Sequence, residues 1–142
     1  MTGLEQIRAL MASGRRPAMM DLLDLNLVEI EAGRAVFSAQ PSAAVYNPMG
    51  AVHGGYAATV LDSACGLAVH SRLDASQGYT TLELKIAYHR PMTKDTGPLQ
   101  AIGTVLSVGR RVAFAEAKLI GPDDRLYASA TSTLLVFAQE QA

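Results

Sequence analysis

Gly54-Gly55-Tyr56-Ala57-Ala58-Thr59-Val60-Leu61-Asp62-Ser63-Ala64-Cys65-Gly66-Leu67-Ala68-Val69-His70 opens a proline-free run that continues to Leu73. Its apolar residues recur at helical spacing but do not keep to one side. Ala57, Ala58, Val60, Leu61, Ala64, Cys65, Leu67, Ala68 and Val69 cover most of the circumference. A helix that is apolar nearly all round is a buried helix. Many of these side chains are small, so a neighbouring layer of backbone can approach closely. The spacing therefore predicts a central helix over 54–73, and the rest of the chain must supply the layer that covers it.

Outward from this run the period changes to two. After Gly78, Leu82, Leu84, Ile86 and Tyr88 alternate with Thr81, Glu83 and Lys85, which predicts a strand ended by Pro91. Residues 99–108, 112–120 and 125–137 read as three more strands, joined by turns at Gly109-Arg110-Arg111 and Gly121-Pro122-Asp123-Asp124. Ala113, Ala115, Ala117 and Leu119 share one face, as do Ala128, Ala130 and Ser132. On the N-terminal side, 25–31 and 34–40 form a hairpin through Glu31-Ala32-Gly33-Arg34, stopped by Pro41. A loop rich in small residues then runs from Pro41 to His53. Residues 1–20 hold a short amphipathic helix at 3–12 and a lead-in, and 138–142 a loose tail around one domain of 142 residues. Hairpins plus one buried helix define α+β. The simplest geometry is an antiparallel sheet curled around the helix. One such domain leaves sheet edges and one side of the helix partly uncovered, so a dimer is expected.

Composition removes several classes. Twelve basic and 13 acidic residues give a net charge of −1, unlike the basic excess of a nucleic-acid binder. One cysteine excludes an internal disulfide framework and any multi-cysteine zinc site. His53, His70 and His89 show no metal-ligand spacing, so no metal is expected. The N-terminus lacks the charge order of a secretory signal, and Asp62 interrupts the most apolar stretch, which argues against a membrane span. A soluble cytoplasmic protein without nucleic-acid or membrane partners is the expectation.

Between Glu31 and Asp74, Asp62 is the only carboxylate side chain. An aspartate inside an apolar helix is costly unless it is paired, and such carboxylates also mark functional sites. Gly54 and Gly55 begin the helix, where unpaired N–H groups and the helix dipole can polarise a carbonyl and hold a developing oxyanion. Glycines there need do no more than allow a tight entry, and a lone histidine such as His53 is commonly a structural bonding residue, here toward Asn47 or a backbone carbonyl. Gly55 and Asp62 lie seven positions apart, roughly 10 Å along the axis. They cannot both reach one carbonyl carbon from the same chain. A two-fold dimer with neighbouring central helices would instead place Gly55 of one copy opposite Asp62 of the other.

Asn47, Gly50, His53-Gly54-Gly55 and Asp62 resemble, at this spacing, the hotdog-fold acyl-CoA thioesterases of the PaaI-like (phenylacetic acid degradation) branch. Thr81, Glu83, Tyr88 and Arg90-Pro91 form a second matching block, and Val108-Gly109-Arg110-Arg111 before Ala113-Phe114-Ala115-Glu116-Ala117 a third, over about residues 25–137. The resemblance implies a dimer with one continuous sheet, and hydrolysis of acyl-CoA to free acid and CoA. Asp62 would be general base or nucleophile, Gly55 the oxyanion donor, Asn47 and His53 orienting groups, and Thr81 a hydroxyl that positions water. Gly54, Tyr88, His89, Arg90, Pro91, Val108, Gly109, Arg110 and Arg111 would hold pantetheine and nucleotide, the arginines suiting phosphate.

Thioester hydrolysis needs no cofactor beyond the CoA of the substrate. Cys65 reads as a packed thiol, and Tyr46, Met49, Leu61 and Tyr88 as walls of an acyl pocket. A homodimer, with a homotetramer built on it, is the expected assembly. Two rivals remain at this point: a hotdog enoyl-CoA hydratase or dehydratase, which needs an acid/base pair across a C=C bond, and a non-catalytic acyl-CoA-binding module. The acyl group itself is left open.

Overall fold

A computed structural model describes residues 1–139. The chain opens with α1 (Gly3–Ala12) and α2 (Ala18–Leu23), followed by the hairpin β1 (Leu25–Glu31) and β2 (Arg34–Ala39). The long helix α3 (Gly54–His70) precedes β3 (Gln77–Tyr88), β4 (Leu99–Val108), β5 (Val112–Ile120) and β6 (Leu126–Ala138). All six strands join in one antiparallel sheet of order β1-β2-β4-β5-β6-β3, so β1 and β3 are its edges. The sheet wraps α3, as the apolar circumference of that helix requires. Ala57, Val60, Leu61, Ala64, Cys65 and Val69 are fully buried with Phe37, Leu99, Ala101, Ala115, Leu119 and Leu134, while Ala68 is buried with Ile7, Ile30 and Ala35. This is the hotdog arrangement. No helix among the described residues is long and apolar enough to cross a membrane.

Several boundaries differ from the sequence reading, each for a local reason. The central helix stops at His70 rather than Leu73. The Ser71 hydroxyl donates to Ala68 O (2.6 Å) and accepts from Gly33 N–H (2.7 Å). Arg72 N–H and Leu73 N–H then reach back only three residues, so the chain leaves in a tight turn. Helix α2 was not expected, because its six residues AMMDLL are too few to show a period, and it buries none of them fully. Ala138, read as the start of a tail, is the last residue of β6 and pairs with Gln77. Gln139 N–H donates to Ser76 O, and the rest of that tail, 140–142, lies outside the described residues.

The largest correction concerns β3. Thr81 pairs with Leu134 but Glu83 pairs with Thr133, so Leu82 is an extra residue in a β-bulge. The bulge reverses the alternation at that point. Thr81 stands on the face of Leu84 and Ile86, opposite the buried Leu134, Ser132 and Ala130, while Leu82 is turned out and 58% exposed. The uniform period-two reading had put Thr81 on the outer face.

Candidate active site

Asp62 lies at the middle of α3 on the side facing β3 and is half-buried. Thr81 Oγ1 donates to Asp62 Oδ1 at 2.9 Å. No other hydrogen bond reaches the carboxylate among the described residues, so Oδ2 is available to a ligand. Gly66, one turn on, lies against the Tyr79 ring, and His70 packs against the same ring at a tilt of 49°, with 5.5 Å between centroids. Burial, and then the charge of Asp62, push the Tyr79 hydroxyl above the usual tyrosine range. Tyr79 thus belongs to the neighbourhood of the carboxylate. Sequence reading missed it because only the bulge reveals that Tyr79, Thr81 and Leu84 share a face.

The Cys65 thiol is fully buried and pushed up to about 12, by desolvation first and then by Asp62 and Glu116. A thiol so far from ionising is a packing group, as expected.

At the other end of the site, His53 is the N-cap of α3. Its Nδ1 accepts from the Gly55 N–H at 2.7 Å, while its own N–H donates to Val45 O. The ring's partner is thus a backbone N–H, in place of the expected Asn47 or backbone carbonyl. A Cβ at position 55 would sit 2.9 Å from His53 Nδ1, so glycine is what allows the cap to close this tightly. Asn47 instead builds its own turn: Oδ1 accepts from Met49 N–H (2.9 Å) and Ala51 N–H (3.2 Å).

The two glycines open onto different hollows. Gly54 lines a cleft of about 380 Å³ with Asn47, Tyr88, His89, Arg90 and Pro91. Six of the predicted positions therefore meet there. Tyr88 OH donates to Gly54 O at 2.7 Å, and His89 Nε2 pairs with Ser129 Oγ at 2.9 Å. Gly55 lines a second hollow of about 310 Å³ with Tyr46, His53, Tyr56 and Thr59.

Of the expected acyl-pocket walls, Tyr46 and Tyr88 border these hollows and Met49 is 89% exposed beside them. Leu61 is not a wall: it is wholly buried in the core, because its position on α3 faces the sheet.

Val108 and Gly109-Arg110-Arg111 form the β4–β5 turn, with Gly109 N–H donating to Val112 O. Arg110 and Arg111 line a cleft of about 550 Å³ with Asp74, Ser76 and Gln77, at the start of β3. Tyr88–Pro91 lie at the end of β3. Within one chain, the length of β3, roughly 35 Å, separates the two groups. Arg90, Arg110 and Arg111 make no salt bridge among the described residues.

A six-stranded antiparallel sheet curled on one long helix is the hotdog frame. The thioesterase superfamily profile matches residues 49–128, more than half of the chain, and the chain belongs to that family. Among curated relatives, it is 40% identical over 84 residues to Putative esterase VNG_1336C of Halobacterium salinarum, covering 58% of this chain and 54% of that protein. The chain thus spans about half the length of this relative. It is 34% identical over 108 residues to Putative esterase SSO2140 of Saccharolobus solfataricus, covering 76% and 75%. In fold it is PaaI-like: the PaaI protein of the Escherichia coli phenylacetic acid degradation operon superposes with a TM-score of 0.85 over 96% of this chain and 95% of that one, at 18% identity.

Proposed function

We propose that the protein hydrolyses acyl-CoA thioesters in a site shared by two copies of the chain. The observation that carries this reading is the Asp62 carboxylate, held on one oxygen by Thr81 and open on the other, on the side of α3 that faces the free edge strand β3. Pairing β3 with β3 of a second copy, antiparallel, would extend the sheet and bring the two α3 helices side by side. The start of β3 in one copy then lies beside its end in the other. That would carry Arg110 and Arg111 of one copy toward the cleft of Tyr88–Pro91 in its neighbour, where a nucleotide phosphate can meet both. Gly55 of one copy would likewise approach Asp62 of the other.

The chemistry follows from those positions. The thioester oxygen takes the Gly55 N–H in place of His53 Nδ1, and the N–H stabilises the negative charge that grows as the carbonyl is attacked. As general base, Asp62 Oδ2 accepts a proton from water while the water oxygen bonds to the carbonyl carbon. The C–S bond then breaks, and the proton passes to the thiolate of CoA. In the nucleophilic variant, Oδ2 bonds to the carbonyl carbon itself and CoA thiolate leaves, and water hydrolyses the resulting mixed anhydride. Both routes need the same oxygen free and the same N–H donor.

The test is steady-state release of free thiol from acetyl-, decanoyl-, benzoyl- and phenylacetyl-CoA by wild type and Asp62→Ala. Hydrolysis of at least one substrate, falling by about 10²-fold or more in the variant, is the expected result. Equal rates in the two proteins would remove Asp62 from the mechanism.

A further inference from the structure

At the β1 end of the sheet, away from the β3 edge, α1, α2, β1 and the last turns of α3 enclose a cavity of about 740 Å³. Of the residues described around the candidate active site, only His70, which packs on Tyr79, also lines it. Ile7, Leu10 and Met11 of α1, Met20 of α2, Leu27 of β1 and Leu67 of α3 supply apolar walls. Protein interiors are close-packed, and ligand sites commonly have volumes of about 300–1,000 Å³. This hollow, half-open to solvent among four elements, falls within that range.

The polar groups around the mouth differ in one respect. His70 Nε2 is paired with Gln6 Oε1 at 3.1 Å. Arg16 is fully engaged, donating to Asp21 Oδ1 (2.6 Å), Asp24 Oδ1 (3.1 Å), Leu25 O and Asn26 Oδ1, so its charge is offset by two carboxylates. Arg15, next to it in the wall, is exposed and has no carboxylate within salt-bridge distance among the described residues. Arg15 and Arg16 against Asp21 and Asp24 leave the mouth neutral overall, but the Arg15 guanidinium alone has no salt-bridge partner among the described residues and stands beside the apolar walls. A guanidinium with its donors unengaged next to an apolar hollow suits a carboxylate head on an aliphatic tail.

We propose that this cavity binds a medium-chain aliphatic carboxylate, its tail among Ile7, Leu10, Met20 and Leu67 and its carboxylate on the Arg15 guanidinium. Such an acid belongs to the product class of the reaction proposed above, but the cavity argument stands without that reaction.

The chain contains no tryptophan, so an indole introduced at Leu10, which is 42% exposed at the mouth, reports on this cavity alone. Leu10→Trp is titrated with premicellar decanoate, with decan-1-ol and decyltrimethylammonium as uncharged and cationic controls. The expected result is a saturable emission shift with decanoate. Affinity should fall about tenfold when Arg15→Glu is added, and remain unchanged when Asp62→Asn is added. Calorimetry of decanoate binding to the tryptophan-free protein and to Arg15→Glu gives the same answer if Leu10→Trp folds poorly. Three outcomes overturn the proposal. One is no saturable response in either measurement, and another is equal affinity for the three amphiphiles with no effect of Arg15→Glu. The third is emission that follows protein concentration alone, which would mean that a second copy covers the cavity. None of these readouts involves hydrolysis, so a chain that fails to cleave thioesters can still pass, and an active thioesterase can still fail.

Discussion

The Thr81 hydroxyl and the Asp62 carboxylate meet at 2.9 Å across 19 positions of sequence. They meet because Leu82 is an extra residue that reverses the facing of β3 at that point. The bond joins the edge strand to the middle of the buried helix. It also leaves the carboxylate one engaged and one free oxygen.

Thr81→Ala removes the donor and lets the carboxylate rotate. A hydrogen bond to a charged group contributes about 1.5–3 kcal/mol, so kcat is expected to fall by roughly 10- to 100-fold. Thr81→Ser keeps an equivalent hydroxyl and is expected to retain activity within a few-fold. Steady-state kinetics of the two variants make the comparison. If Thr81→Ser is as impaired as Thr81→Ala, the threonine acts through its methyl packing and not through its hydroxyl.

The central helix and the order of strands were legible because burial leaves a coarse mark on sequence. An apolar circumference from Ala57 to Val69 allows only a wrapped helix, and the alanine rows of β5 and β6 do face it, at 0–4% exposure. Asp62 stood out as a candidate for the opposite reason, as a residue type that an apolar buried helix does not otherwise tolerate, and His53 with the glycines as candidates because they open that helix. The placement of Thr81 and Tyr79 was not legible. A bulge shifts facing by one residue and leaves no compositional trace, since Leu82 is as apolar as the core residues beside it. Nor could one chain's sequence tell that Arg110 and Tyr88 stand at opposite ends of β3.

The cap on α3 has a measurable consequence. Gly55 N–H is bonded to His53 Nδ1 in the free protein, and the proposed reaction transfers that N–H to the substrate. His53→Ala is expected to cost about 1 kcal/mol of stability, the usual worth of an N-cap. It is expected to leave hydrolysis within about tenfold of wild type, because the donor itself survives. Urea unfolding and thiol-release assays on the same preparation read the two effects. Loss of activity as deep as that of Asp62→Ala would make the imidazole a participant in the chemistry.

Gly103 tests how closely β4 approaches the helix. A Cβ at this position would lie 2.2 Å from Ala64 O, an atom of helix backbone that cannot turn aside. Gly103→Ala is therefore expected to destabilise by about 3 kcal/mol, the upper end of the usual overpacking range. By contrast, a Cβ at Gly14 meets nothing within 4 Å, and its penalty comes only from a φ of +71°. Thermal unfolding of Gly103→Ala and Gly14→Ala separates contact from backbone strain. The first is expected to be the more damaging.

The alkaline limb of stability should carry the signature of Cys65. Burial and the nearby charges of Asp62 and Glu116 raise its thiol from 9.0 to about 12 in the folded chain. The unfolded chain therefore begins to release this proton near pH 9 while the folded chain holds it. Folding then binds the proton more tightly, so the stabilisation is complete below about pH 9 and is lost progressively as pH climbs toward 12. Tyr56 adds to the same limb from about pH 10, because burial, and then the charge of Asp24, push its hydroxyl up to about 12. Cys65→Ala removes the first contribution and leaves the second. Urea midpoints measured at pH 8, 9 and 10 are expected to decline in wild type and to decline less between pH 9 and 10 in Cys65→Ala. The small cavity left by the substitution lowers all three midpoints alike, so the slope, and not the level, is the quantity to compare. Parallel slopes in the two proteins would mean that the thiol ionises in the folded state as readily as in the unfolded one, and the packing assigned to Cys65 would have to be revised.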